Sequence, residues 1–288
     1  MERFESEVDI TRLECFAQQL RRDTVEMIYH AGSGHVGGAL GLAEFIGALY
    51  GYAMNFDPED PDRDRIVLSN GHTCAIWYAA LARSGLIPLE ELATFRKLGS
   101  RLQGHPSRCA MPKLVETSTG PLGQGFSVAN GIALSLRLRK SPARVYCVLG
   151  DGELQEGQVW EAFMTAGHYR LSSMCVFINN NRLQIDGKVE DVMNMKNLND
   201  RLSSFGWNVI EIDGNDMRQV VDALKKAAEC TTEPTVIIGN TLMGKGVPFM
   251  ENLAKWHGTT PSLEQTLTAL KDIGINDEYA DCSVLIPQ

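Results

Sequence analysis

No two cysteines stand in a CxxC spacing; the seven are scattered at positions 15, 74, 109, 147, 175, 230 and 282. A zinc ribbon or a dithiol redox motif is therefore excluded, and an odd, dispersed set suits a reducing compartment. Long basic runs are missing too. With 27 Lys and Arg against 36 Asp and Glu, the net charge is −9. That weighs against a nucleic-acid partner, whose phosphates need Lys and Arg surfaces. No apolar run approaches the ~18 residues of a membrane span. The opening MERFESEVDI lacks the basic and apolar regions of a secretory leader, so a cytoplasmic protein is expected. Linkers, internal repeats and low-complexity tracts are also absent. The 288 residues read as a single domain with 44% hydrophobic and 22% charged residues, values ordinary for a globular protein.

What is present is an alternation of short apolar runs and amphipathic stretches. Helices are predicted over 7–30, 40–52, 74–83, 89–98, 126–138, 156–168, 217–228 and 262–270, and strands over 66–68, 145–149, 174–178, 207–212 and 235–238. This order predicts an α/β fold, a doubly wound, mostly parallel sheet with helices on both faces. The acidic segment FDPEDPDRDR at 56–65 reads as a solvated connection, since its spacing is not that of a calcium-binding loop.

The stretch 143–187 is the most informative. Val145 to Leu149 is an apolar run closed by Gly150-Asp151-Gly152, and Met174 to Ile178 is a second run, broken by Asn179, Asn180 and Asn181. Parallel strands joined by a helix place their carboxyl ends side by side. Asp151 and the Asn-rich turn should therefore emerge at one sheet edge, where open α/β sheets bind ligands. A carboxylate, amide oxygens and backbone carbonyls form an all-oxygen set for a hard cation such as Mg²⁺, and flanking glycines admit an anion to backbone N–H groups. Two readings stand on these residues: a cation-bridged diphosphate site, or a plain βαβ crossover with a polar turn.

Histidine adds a second signal. His35, His72, His105 and His257 each touch a glycine in a predicted turn, where imidazoles can meet hydroxyls and phosphates and move protons near neutral pH. His30 and His168 read as structural. Two nucleotide motifs fail on spacing. The stretch 239–246 nearly spells a P-loop, but Gly246 stands where Ser or Thr must bind the metal. Gly150-Asp151-Gly152 has Gln155 in place of the third glycine of a dinucleotide fingerprint.

Gly-Asp-Gly followed about 30 residues later by an Asn-rich turn resembles the thiamine diphosphate-binding motif, and NNNRLQIDG is similar to the transketolase form of that turn. SGHVGGALG with Arg21 upstream, DPEDPDRDRIVLSNGH, GHPS, GPLGQG and WHGTTP resemble further transketolase blocks, in order from about residue 20 to 260.

The resemblance implies that Asp151, Asn181 and the carbonyl of Leu183 hold Mg²⁺, for which Ca²⁺ or Mn²⁺ could substitute. The backbone amides of Gly152 and Glu153 would assist with the phosphates of thiamine diphosphate. It further implies that His72 and His257 contact the diphosphate. His35, His105 and His257 would face sugar hydroxyls and shuttle protons. Gly120 and Leu122 would line the aminopyrimidine and thiazolium, Ile185 would pack on the thiazolium, and Glu156 and Glu161 would link paired sites across a dimer.

The family pattern is broken at Val36, where proline is common, and at Ser107, where an acid is common; both bear on sugar preference. The family's pyrimidine-binding domain, with its cofactor-activating glutamate, is expected on a partner chain. The resemblance thus implies the N-terminal subunit of a split transketolase, transferring a two-carbon ketol unit from a ketose phosphate to an aldose or aldose phosphate. It would work with a C-terminal partner chain, expected as an α2β2 heterotetramer. The alternatives are the α subunit of a 2-oxo acid dehydrogenase and a non-catalytic regulatory module of the same fold.

Overall fold

The computed structural model describes residues 8–274. Cys282 and the first residue of the helix expected from position 7 lie outside the described residues. Helix α1 (Ile10–Ala31) starts where the Asp9 carboxylate accepts a hydrogen bond from the Arg12 N–H and ends at Gly32, whose φ of 67° is the left-handed stop. Its buried stripe is Leu13, Ala17, Leu20, Val25 and Ile28.

The helix predicted over 40–52 is broken into α2 (Val36–Gly41), α3 (Ala43–Ala48) and a wider turn over Leu49–Ala53. Every residue of α2 and α3 is buried, so packing on all sides overrides the sequence periodicity. Strand β1 (Arg65–Leu68) leads to α4 (Cys74–Arg83). The helix predicted over 89–98 shrinks to a tight turn over Leu89–Thr94, because Phe95 turns extended and Arg96 takes a left-handed φ of 58°.

Helix α5 (Gln124–Leu138) precedes the predicted central unit of strand β2 (Val145–Gly150), helix α6 (Gly157–His168) and strand β3 (Met174–Asn180). The hairpin β4 (Leu183–Gln184) and β5 (Gly187–Lys188), helix α7 (Val189–Met193) and helix α8 (Leu198–Ser204) were not foreseen. They are too short and polar to register as periodic segments. Strand β6 (Asn208–Asp213), helix α9 (Met217–Glu229), strand β7 (Thr235–Asn240) and helix α10 (Leu263–Ile273) complete the described chain. None of these helices is long and apolar enough to cross a membrane.

The main sheet has strand order β1-β2-β3-β7-β6 and is parallel throughout. Alternate strand residues feed two cores. Tyr146, Val148, Cys175, Phe177 and Ile237 pack under α1–α4 and α9, while Cys147, Leu149, Val176, Ile178 and Val236 pack under α5 and α6. The order runs outward through β1, β2 and β3, jumps to β6 and returns to β7. Right-handed crossovers in opposing directions put their helices on opposite faces, as α6 and α9 show. The reversal opens a crevice at the carboxyl ends of the strands.

The acidic connection departs from its solvated reading at one residue. Asp64 is fully buried and accepts hydrogen bonds from the N–H groups of Asn55 (2.9 Å) and Arg144 (2.8 Å), pinning the loop to the start of β2. The near P-loop is a structural turn: a Cβ on Gly239 would meet the Phe177 ring at 2.2 Å, and the Gly244 N–H donates to the Gly37 carbonyl at 2.9 Å.

Candidate active site

The carboxyl edge holds a cleft of about 350 Å³ whose lining includes Asp151, Asn181, His35, His72 and His257. Its floor follows from strand register. Gly150 pairs with Asn179 at the ends of β2 and β3, so Asp151 and the Asn-rich turn leave the sheet together. Asp151 is 5% exposed. Its Oδ1 accepts from the Gly152 N–H at 2.9 Å and its Oδ2 from the Arg182 N–H. Burial pushes its carboxyl up to about 7, against the lowering effect of those two N–H donors. A cation beside it would relieve the cost of the buried charge.

The three asparagines divide their work. Asn179 ties the turn to the rest of the edge, donating to the Gly38 carbonyl (3.2 Å) and accepting from the Thr241 hydroxyl. Asn180 donates to Asn240 Oδ1 at 2.8 Å. Asn181 accepts from the Leu183 N–H at 2.9 Å and, with Asp151, Leu183 and Gly152, borders the cleft. Only Asn181 of the three combines a cleft position with an amide oxygen not engaged by another side chain.

Glu153 is 2% exposed. One of its oxygens accepts from the Ser69 hydroxyl (2.6 Å) and the Gly123 N–H (2.7 Å), the other from the Gly150 N–H (3.1 Å). Its carboxylate therefore knots together the turns after β1, before α5 and after β2. The role expected of Glu153 rests on its backbone amide, and sequence reading did not foresee this knot.

Four turns deliver the four histidines to one place. Ring centroids lie 5.2 Å apart for His35–His72, 5.7 Å for His35–His257, 5.2 Å for His72–His257 and 6.4 Å for His35–His105. Burial lowers His72 to about 3 and His35 to about 4, with the neighbouring imidazole of His257 next in effect. Burial also lowers His105 and His257. Arg96, which no sequence signal marked, reaches this cluster from its left-handed turn. It donates to Ser33 Oγ (3.3 Å) and the Gly104 carbonyl (3.2 Å) and lies 3.4 Å from His35 Nδ1.

Residues 14–280 match the family described as transketolase, thiamine diphosphate binding domain. The chain belongs to the transketolase family. It is 36% identical over 269 residues to an apulose-4-phosphate transketolase subunit of Phocaeicola vulgatus, covering 92% of this chain and 95% of that one. It is 40% identical over 262 residues to the 6-deoxy-6-sulfo-D-fructose transketolase subunit SqwG of a Clostridium species, covering 89% and 94% respectively. Among solved structures, transketolase of Campylobacter jejuni superposes with a TM-score of 0.86 at 33% identity, covering 94% of this chain. A Pichia stipitis transketolase complexed with sedoheptulose 7-phosphate also gives 0.86, at 32% identity and 95% coverage. This chain spans 44% and 42% of those two longer chains.

Within this transketolase-family fold, the cleft brings together most residues singled out beforehand. Gly120, Leu122, Glu153, Glu156, Leu183 and Ile185 all border it. His105 stands beside it, with Gly120 against its ring, while Ile185 is 72% exposed at the rim. Glu161 lies on the exposed side of α6, one turn beyond the cleft. His30 and His168 are exposed, and their ring contacts are with Tyr29 and Tyr169, not with the cluster. The family match decides against the dehydrogenase α-subunit reading.

The site fits an anionic, hydrogen-bonding ligand such as thiamine diphosphate on its own geometry. His257 Nδ1 and both side-chain heteroatoms of Asn70 are buried without a hydrogen-bond partner, and both residues border the cleft. Such atoms are costly unless a ligand or water engages them. Asn70, like Arg96, was not foreseen. The only sequence hint was its place in the strand-end turn beside His72.

Proposed function

We propose that this chain is the diphosphate-binding subunit of a two-chain transketolase that moves a two-carbon ketol unit from a ketose phosphate to an aldose or aldose phosphate acceptor. The observation that carries this reading is the convergence of four histidine turns on the Asp151–Asn181 edge of a transketolase-family sheet. Asp151, Asn181 and the Leu183 carbonyl would hold Mg²⁺, with Ca²⁺ or Mn²⁺ as substitutes. Thiamine diphosphate, once bound, supplies the carbon nucleophile and electron sink for ketol transfer.

The chain's own residues orient and protonate. His72 and His257 would direct imidazole N–H groups at the diphosphate, and the Glu153 amide would add a donor beside Gly152, whose own N–H is engaged by the Asp151 carboxylate in the ligand-free protein. Gly120 and Leu122 would line the cofactor rings, and Ile185, exposed at the rim, would pack on the thiazolium. His35, His105 and His257 hydrogen-bond the sugar hydroxyls and take or return their protons. In the ligand-free protein burial lowers all three imidazoles below their ordinary value, which favours the neutral form. Arg96 faces His35 as a fixed cation.

A second chain supplies the rest of the site. The relatives named as transketolase subunits, covered over 95% and 94% of their own length, support such a partner. We place it in an α2β2 assembly in which Glu156 and Glu161 link paired sites, and in the cytoplasm, where the described cysteines would stay free. Both relatives are named for ketoses bearing a terminal anion, a phosphate or a sulfonate. A donor of that class suits this chain.

Calorimetric titration of Mg²⁺ and thiamine diphosphate into the chain, alone and with its co-purified second chain, tests the reading. Weak binding alone, tight Mg²⁺-dependent binding in the assembly and its loss in Asp151→Ala are expected. Absence of binding by the wild-type assembly would overturn the enzyme reading and favour a non-catalytic module.

A further inference from the structure

Asn70 stands at the carboxyl end of β1, in the turn that leads through Gly71–Thr73 into α4. Its backbone is fully engaged: the N–H donates to the Val148 carbonyl at 3.3 Å, and its carbonyl accepts from the Thr73 N–H and hydroxyl, both at 3.0 Å. The side chain is 1% exposed, yet neither Oδ1 nor Nδ2 meets a hydrogen-bond partner. Asparagine at this position ordinarily caps the following turn with its own side chain. Here that bond is not made, and the residue borders the cleft.

Its location in the cleft is specific. A Cβ built on Gly150, the residue before Asp151, would lie 3.9 Å from the Asn70 Cβ. The side chain thus starts beside the turn that carries Asp151, which lies between it and the Asn-rich turn in the strand order. An unpartnered donor and an unpartnered acceptor on one rigid, buried group call for a ligand offering both kinds of atom. A hydrated metal–diphosphate does so: phosphate oxygens accept, and metal-bound water donates.

We infer that Asn70 is a further cofactor-binding residue, its Nδ2 donating to a diphosphate oxygen and its Oδ1 accepting from a water of the bound cation. This deepens the diphosphate reading above and rests on it. A structural asparagine would instead show internal partners and would stabilise the protein without ligand.

The two roles separate experimentally in the full chain with its second chain assembled. Binding of Mg²⁺–thiamine diphosphate, and of Mg²⁺ with inorganic pyrophosphate, is measured by calorimetry for wild type, Asn70→Ala and Asn70→Asp. The melting temperature of each protein without ligand is recorded alongside. Asn70→Ala should weaken both ligands roughly tenfold or more, while its ligand-free melting temperature stays level or rises. Asn70→Asp keeps the shape, places a carboxylate against the diphosphate and should weaken both ligands further, which serves as the test should the alanine variant fold poorly.

Wild-type affinity retained in both variants overturns the inference and leaves the cofactor reading intact. A ligand-free melting temperature several degrees lower in Asn70→Ala, at unchanged affinity, assigns the residue to the fold and also overturns it. No binding by wild type removes the cofactor reading and this inference together.

Discussion

At the scale of single residues, the site depends on buried polar groups whose worth lies in what they hold. Glu153 accepts three hydrogen bonds, from the turns after β1 and before α5 and from the end of β2, while nearly fully buried. Removing the carboxylate strands those donors, and Glu153→Ala should cost about 3 kcal/mol in denaturant unfolding, against about 1 kcal/mol for Ser69→Ala. Equal, small losses in both would show that the knot is not a stability element. The histidines give a pH signature with a definite sign. His72 at about 3 and His35 at about 4 lie below their ordinary 6.5 because of burial. The unfolded chain therefore binds protons that the native ligand-free protein refuses. Stability from this source is complete above about pH 6.5 and is lost as pH falls toward 4 and then 3. In His72→Gln, the decline of the melting temperature over that window should be shallower than in wild type; an identical decline would mean that His72 is already protonated in the native fold.

At the scale of elements, the turns at the sheet edge are set by backbone conformation more than by side-chain preference. Gly123 opens α5 at φ 84°, and a Cβ there would meet Gln158 Cγ at 2.8 Å. Gly123→Ala should destabilise by roughly 1–3 kcal/mol. Adding Gln158→Ala should recover only the steric share, because the left-handed backbone penalty remains; full recovery in the double mutant would refute the conformational part. Helix α10 shows a gentler form of local control. Ser262 and Gln265 cap each other reciprocally at its start, and Ser262→Ala should lose about 1 kcal/mol, read as a lowered unfolding midpoint. Both predictions concern features written locally in the chain, Gly-Gln-Gly at 123–125 and Ser-x-x-Gln at 262–265.

At the scale of the whole molecule, β2, β3 and β7 send side chains into both cores, so the two faces should unfold together. Phe45→Ala on one face and Phe163→Ala on the other should each cost about 3–5 kcal/mol and lower one shared transition. Two separated transitions would instead divide the chain into independent units. Much of this architecture was legible in sequence, because parallel strands buried on both faces are continuous apolar runs and β2, α6 and β3 fall close to their predicted spans. The break between α2 and α3, the truncated turn at Leu89–Thr94 and the β4–β5 hairpin were not legible, since long-range packing decides them. The same division runs through the site. Which turns carry Asp151, Asn181 and the four histidines follows from the chain alone, because glycine and strand-end chemistry are local. That Asn179 and Asn180 stitch the edge, that the Glu153 carboxylate joins three turns, that Arg96 faces His35 and that the Asn70 side chain is buried without a hydrogen-bond partner emerges on folding. Those facts depend on which atoms meet across the sheet edge, and distances between segments remote in sequence are a property of the folded molecule alone.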